Sequence, residues 1–146
     1  MIFNKNFLIG QEFVKRQYIT QEQLDEGLIY HQRKNIRLGK ALIELGYITE
    51  EDLVKVIADQ LSIENVDFET LPITDDLLNR IPKEYIKSNT IFPVHYEDGI
   101  LTVCVVDPLA KNIKEKFEKW FKYDIRLAIS TEDKIKKAID THYHYE

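Results

Sequence analysis

Apolar residues between Leu8 and Leu61 recur every three or four positions, which is the period of amphipathic helices. The stretch 8–31 aligns without gaps on the stretch 37–60, so the pattern occurs twice, with the spacer QRKNI between the copies. Each copy predicts a short helix, a tight turn and a longer helix. Because two copies are too few for a solenoid, we expect them to form one helical subdomain.

The longer helix of each copy begins with a capping signal. Thr20 precedes Gln23, and Thr49 precedes Asp52, at the spacing at which a hydroxyl and a polar side chain cap a helix reciprocally. We therefore expect these helices to begin just after the two threonines.

The turn between the helices differs between the copies. Gly46 suits the left-handed residue that ends the short helix of the second copy. Gln17 stands at that place in the first copy, where a residue other than glycine costs on the order of 1 kcal/mol. We therefore expect the first hairpin to have a different shape from the second.

Helical periodicity ends after residue 61, where residues 62–76 bring in extended stretches and a proline. We place a subdomain boundary near residues 62–66. The sequence thus predicts a helical subdomain with the duplicated motif at 1–62 and an α+β subdomain at 63–146.

The second subdomain is predicted to contain a small sheet. Residues 90–108 predict a β-hairpin with its turn at Asp98 and Gly99, and Pro93 indicates that one strand lies at a sheet edge. There follow an amphipathic helix at 108–124, a strand at 125–130 and a capped helix at 130–143. If the later strand is parallel to the hairpin, the helix between them makes a right-handed crossover. The predicted fold class is α+β, with helical repeats first and then a hairpin plus one strand covered by helices.

Charge limits the class of partner. The chain has 146 residues and a net charge of −5, which argues against DNA or RNA as a ligand because phosphate contacts need a basic surface. The charge is uneven: from Glu44 to Asp76 every charge except Lys55 is acidic, whereas residues 111–126 are rich in lysine. Solvated helix faces explain this pattern, and an acidic partner or a membrane surface is the alternative.

Cys104 is the single cysteine, so no internal disulfide forms, and its apolar neighbours indicate a core position. The run around it falls far short of the roughly 20 apolar residues that cross a bilayer. The start of the chain is too polar for a signal peptide. We therefore expect a cytoplasmic chain with no transmembrane segment, which reaches the inner membrane, if at all, through a partner.

Motifs for enzyme chemistry are absent from the sequence. The pair Gly39 and Lys40 lacks the preceding glycine and the following hydroxyl of a phosphate-binding loop, which argues against ATP hydrolysis. His142 and His144 point to different faces of a helix and do not complete a metal site. The sequence thus predicts a protein that is not an enzyme, with no catalytic residue, no metal and no cofactor.

Residues 37–60 fit the pattern R-L-G-x-x-[LVI]-[LVI]-x-x-G-[LVI]-[LVI]-x-x-x-x-L-x-x-x-L-x-x-Q, with Tyr47 and Ile57 as variants. This pattern resembles the motif of the MshEN domain, the N-terminal domain of type II secretion and type IV pilus assembly ATPases. The family carries the motif twice with a five-residue spacer, which QRKNI matches. The resemblance continues through residues 71–108 to the last helix.

The resemblance implies that the two motifs together bind cyclic di-GMP, each holding one half of the symmetric ligand. The implied ligand-binding residues of the second copy are Arg37, Leu38, Gly39, Leu42, Ile43, Gly46, Ile48 and Gln60. Those of the first copy are Leu8, Ile9, Gly10, Phe13, Val14 and His31.

These residue types have plausible physical roles. Arg37 can present a planar fork to the O6 and N7 atoms of guanine. Gly39 leaves space for a phosphate beside the N–H groups at a helix start, and Gln60 lies on the face of Leu53 and Ile57. For the apolar members, packing in the core is an equally good explanation.

The first copy departs from the motif, with Leu8 in place of the arginine and His31 in place of the glutamine. Other family members use the domain mainly to dock on an inner-membrane platform protein. Two functions therefore stay open: a cyclic di-GMP receptor module, and a docking module with a degenerate nucleotide site that couples a platform protein to a motor ATPase. The sequence also leaves open whether the chain is free-standing or part of such an ATPase.

Overall fold

In a computed structural model, residues 5–143 are described, and they contain eight helices and four strands. The chain divides into two compact units, residues 1–61 and 62–146. The first unit consists of four helices: α1 (Lys5–Lys15), α2 (Gln21–Lys34), α3 (Leu38–Glu44) and α4 (Glu50–Leu61). The α+β class is as predicted, and each unit has a core of its own.

The two helical hairpins have the same turn. Gln17 and Gly46 both adopt left-handed backbone conformations, with φ angles of 66° and 82°. Two backbone hydrogen bonds close each turn: Gln17 N–H to Val14 O and Tyr18 N–H to Phe13 O in the first, and Gly46 N–H to Ile43 O and Tyr47 N–H to Leu42 O in the second. The prediction of a different shape is therefore wrong at the turn, where these bonds hold Gln17 in the unfavourable conformation. The hairpins do differ at their start, because α1 begins four residues before the position equivalent to the start of α3.

The helix starts agree with the predicted capping signals. The Thr20 hydroxyl accepts from the Gln23 N–H at 3.1 Å, and the Gln23 side chain accepts from the Thr20 N–H at 2.9 Å. Thr49 and Asp52 form the same reciprocal pair at 3.1 and 3.0 Å. The core beneath these helices consists of Ile9, Phe13, Ile19, Leu24, Leu38, Ala41, Leu42, Ile48, Val54, Val56, Ile57 and Ala58.

The second unit is a four-stranded sheet with helices. Its elements are β1 (Glu64–Asn65), α5 (Asp75–Leu78), α6 (Lys83–Asn89), β2 (Phe92–Glu97), β3 (Ile100–Val105), α7 (Ile113–Phe121), β4 (Asp124–Ile129) and α8 (Glu132–His142). The strand order is β1-β4-β3-β2. Strands β2 and β3 pair antiparallel, whereas β4 is parallel to both β3 and β1, with Val103 opposite Leu127.

The predicted hairpin is confirmed in detail. Asp98 and Gly99 form its turn with φ angles of 54° and 79°, and Pro93 lies on β2 at the edge of the sheet, where the register with β3 shifts. The prediction of a hairpin plus one strand omitted β1, which is too short to show a periodic pattern and has two exposed residues. The helix predicted at 108–124 begins only at Ile113, after Asn112 with a φ of 57°.

Cys104 lies in the core of this unit, and burial raises the pKa of its thiol well above the usual value. It belongs to one hydrophobic core with residues of the sheet and of the covering helices, including Phe92, Leu101, Phe117 and Ile135. Among the helices of residues 5–143, none combines the length and the apolar character needed to cross a bilayer.

Candidate functional site

The α2–α3 junction is held in place by three hydrogen bonds to and from His31. Asn35 ends α2 in a left-handed conformation, and its N–H donates to the His31 carbonyl, as does the Ile36 N–H at 3.1 Å. In return, His31 Nδ1 lies 3.0 Å from the Ile36 carbonyl oxygen. Because a carbonyl only accepts, Nδ1 carries a proton, and the imidazole is fixed beside the start of the second copy.

Arg37 stands at the entrance of α3. It is the N-cap residue, with extended backbone angles and no capping hydrogen bond from its side chain, and it is exposed. An open depression of about 660 Å³ lies beside it, lined by His31, Gln32, Asn35, Ile36, Arg37 and Lys40. The depression therefore brings together two residues predicted for ligand binding, one from each copy.

The surroundings of the depression favour an anion. Residues 27–43 contain no aspartate or glutamate, but they include the cations Arg33, Lys34, Arg37 and Lys40. Two carboxylates flank this stretch, and each accepts a hydrogen bond from a tyrosine: Glu26 from Tyr47 at 2.6 Å and Glu44 from Tyr30 at 3.2 Å. The bond to Glu26 raises the pKa of Tyr47; partial burial, more than the bond to Glu44, raises the pKa of Tyr30.

The first glycine of each motif is required by helix packing. A Cβ atom on Gly39 would lie 2.6 Å from Leu53 Cδ1, and one on Gly10 would lie 2.5 Å from Leu24 Cδ1. These are equivalent contacts in the two copies, and both glycines are buried. Packing is thus a sufficient reason for glycine at these places, and the approach of a ligand is not needed to explain it.

The other predicted site residues differ in exposure. Ile9, Phe13, Leu38, Leu42 and Ile48 are core residues, and Val14 and Ile43 are half-buried. Leu8, Gly46 and Gln60 are exposed, with Leu8 at 45%. None of these three lines the depression beside Arg37.

The prediction missed four residues that line the depression: Gln32, Asn35, Ile36 and Lys40. Three of them lie in the spacer, outside the motif. The signal that could have identified them is the absence of acidic residues from the segment that joins the copies.

Within residues 5–143, no group of three or more histidine, cysteine or acidic side chains could hold a metal ion. His142 ends α8, whereas His144 lies outside the described residues. His95 Nε2 lies 2.8 Å from a Glu64 carboxylate oxygen, which links β2 to β1.

Comparison with solved structures shows which folds this chain shares. The structure of MshE with cdg, that is, with cyclic di-GMP, has a TM-score of 0.84 at 22% identity, over 92% of this chain and 98% of that one. The N-terminal domain of XpsE has a TM-score of 0.74 at 19% identity, over 99% of this chain and 100% of that one. At these identities the likeness is one of fold.

Curated relatives include Bacteriophage adsorption protein B of Escherichia coli (strain K12) and Bacteriophage N4 adsorption protein B of Escherichia coli O157:H7, each 27% identical over 95 residues. The match covers 65% of this chain but only 13% of each relative, so the chain spans a small part of their length. The MshEN domain matches residues 60–146, which is more than half of the chain and lies almost entirely outside the duplicated unit. The chain belongs to the MshEN domain family.

Proposed function

We propose that this chain is a non-catalytic regulatory module that binds cyclic di-GMP through its duplicated helical unit. The observation that carries the proposal is the depression at the start of α3, which is lined by Arg37 and Lys40 and by no aspartate or glutamate. A guanidinium can donate two hydrogen bonds to the O6 and N7 atoms of guanine, and nearby cations favour a phosphate. The fold it shares with MshE, whose structure holds cyclic di-GMP, supports the same ligand.

The two halves of the ligand would be held unequally. The second copy would bind one guanine through Arg37, Gly39 and Gln60, whereas the first copy, with Leu8 in place of arginine, would use apolar and backbone contacts. Losing one bidentate contact of about 1–3 kcal/mol predicts affinity roughly 10- to 100-fold weaker than that of a relative with two arginines.

Calorimetric titration with cyclic di-GMP tests this proposal. Arg37→Ala should bind at least about tenfold more weakly than the parent, because it removes the bidentate contact. Arg33→Ala is the matched control. Arg33 is exposed in the same segment without acidic residues, 27–43, but it does not line the depression. Equal affinity of Arg37→Ala and the parent, or unfolding of Arg37→Ala in a thermal melt, would show that Arg37 is structural.

A second candidate is a docking module that binds an inner-membrane platform protein or a secretion or pilus motor ATPase. Two observations favour docking. The family match at residues 60–146 lies almost entirely outside the duplicated motif, so family membership does not depend on a ligand-binding motif. Gly10 and Gly39 are explained by helix packing, so the motif glycines do not require a ligand. In either role we place the chain in the cytoplasm, near the inner membrane through its partner. A pull-down with the cognate platform protein should show salt-dependent binding, and no binding at any ionic strength would count against docking.

A further inference from the structure

The outer face of α7 and its flanks forms a cationic surface in an otherwise acidic chain. We call it the α7 surface; it consists of Lys111, Lys114, Lys116, Lys119, Lys122 and Trp120, all exposed. Its central part is a contiguous group, because Lys116 lies one helical turn before Trp120 and next to Lys119. The Lys116 ammonium lies 4.9 Å from the centroid of the Trp120 ring.

The α7 surface has five lysines, whereas α7 itself carries two carboxylates, Glu115 and Glu118. Within residues 5–143, salt bridges such as those of Arg16 with Glu12 and of Lys136 with Glu132 do not reach a lysine of the α7 surface. Of the two carboxylates on α7, Glu118 is directed to the Ile125 N–H at 3.4 Å. The chain as a whole carries a net charge of −5, so the local excess of lysine stands out.

Trp120 is held at the edge of this surface by aromatic packing. Its ring lies 5.2 Å from that of Tyr85 on α6 and 6.0 Å from that of Phe117, yet 37% of the residue stays exposed. Phe117 and Phe121, next to Trp120 on α7, are buried in the core. The helix therefore has one accessible aromatic ring among lysines, and its apolar side is already occupied.

We infer that the α7 surface binds the headgroup region of an anionic bilayer. Clustered lysines on an amphipathic helix attract anionic lipid, and a tryptophan ring partitions to the headgroup level. Lys116, Lys119 and Trp120 lie within about one turn of the same helix, so they can reach one planar surface together. An acidic protein partner fits less well, because protein interfaces are depleted in lysine and bury their tryptophans in fitted pockets.

Trp120 is the single tryptophan of the chain, so its fluorescence reports the contact directly. The purified full chain would be titrated with vesicles of equimolar phosphatidylglycerol and phosphatidylcholine, and separately with phosphatidylcholine alone. We expect a blue shift of the emission and co-sedimentation with the anionic vesicles only. Both should be lost at about 1 M salt, where the screening length falls to about 3 Å.

The variant Lys116→Glu with Lys119→Glu should bind anionic vesicles at least about tenfold more weakly than the parent, because two attractive charges become repulsive. The control is Lys55→Glu with Lys134→Glu, which changes the net charge equally at exposed positions elsewhere and should bind like the parent. Absence of vesicle binding by the parent, even if it binds polyglutamate, would overturn the inference. Equal weakening of the two double variants would also overturn it, because net charge alone would then explain binding.

Discussion

The two helical hairpins of the first unit share their turn, cap and helix packing, and they differ at the start of the short helix and in nearby side chains. Both have the same turn, the same reciprocal cap and the same glycine–leucine contact. They differ at the position that Leu8 and Arg37 occupy and in their tyrosines, since Tyr47 binds Glu26 whereas Tyr18 packs edge-on against Phe13. The repeated features are thus those that the fold requires, and the features that differ are those available for ligand chemistry.

The largest effect is expected at the glycines that the two hairpins share. Gly10→Val and Gly39→Val should each lower the free energy of unfolding by about 3 kcal/mol, because the new side chain overlaps a packed leucine in each copy, Leu24 or Leu53. Urea unfolding followed by circular dichroism measures this change. A loss in only one variant would show that the two helix contacts are not equivalent.

A smaller effect is expected from exchanging the turn residues. Gly46→Gln should destabilise the unit by about 1 kcal/mol, and Gln17→Gly should stabilise it by up to about that amount, because both positions are left-handed. The same urea experiment measures both variants. If Gln17→Gly is destabilising, side-chain contacts of Gln17 outweigh its backbone strain.

The smallest effect is the pH dependence of stability that comes from Tyr47. The hydrogen bond to Glu26 raises the pKa of Tyr47 above its value in the unfolded chain. The stabilisation from this bond is therefore fully present below about pH 10 and is lost as the pH rises through the folded-state pKa. Thermal melts of Tyr47→Phe should show a shallower fall in stability above about pH 10 than those of the parent. Tyr18→Phe is the matched control and should follow the parent.

The sequence predicted the parts of the fold that local patterns specify. The duplicated helices, the caps at Thr20 and Thr49 and the turn at Asp98 and Gly99 each rest on a few neighbouring residues. Strand β1 was missed because pairing with β4, a tertiary contact, is what makes two exposed residues a strand.

The predicted subdomain boundary at 62–66 stays a prediction. Rapid hydrogen exchange at residues 61–63, beside a protected Val66 amide, would support it. The Val66 amide should be protected because it donates a hydrogen bond to the Ile129 carbonyl.

The candidate site was predictable only in part. Arg37 was identified because a helix entrance gives no structural reason for arginine. The clustering of His31, Lys40 and the spacer around it depends on how the α2–α3 junction folds, which no periodic pattern encodes. Conversely, the motif glycines looked like ligand contacts in the sequence, but the distances to Leu24 and Leu53 give them a packing role.

The most direct test of the account is the affinity of Leu8→Arg for cyclic di-GMP, measured by calorimetry beside the parent. Leu8 is exposed and aligns with Arg37 in the sequence, although it lies within α1 whereas Arg37 precedes α3 with an extended backbone. If the missing arginine is what separates the two hairpins as ligand sites, Leu8→Arg should bind roughly 10- to 100-fold more tightly than the parent. Parent-like affinity of Leu8→Arg would contradict the account, and no binding by either protein at micromolar ligand would favour the docking function.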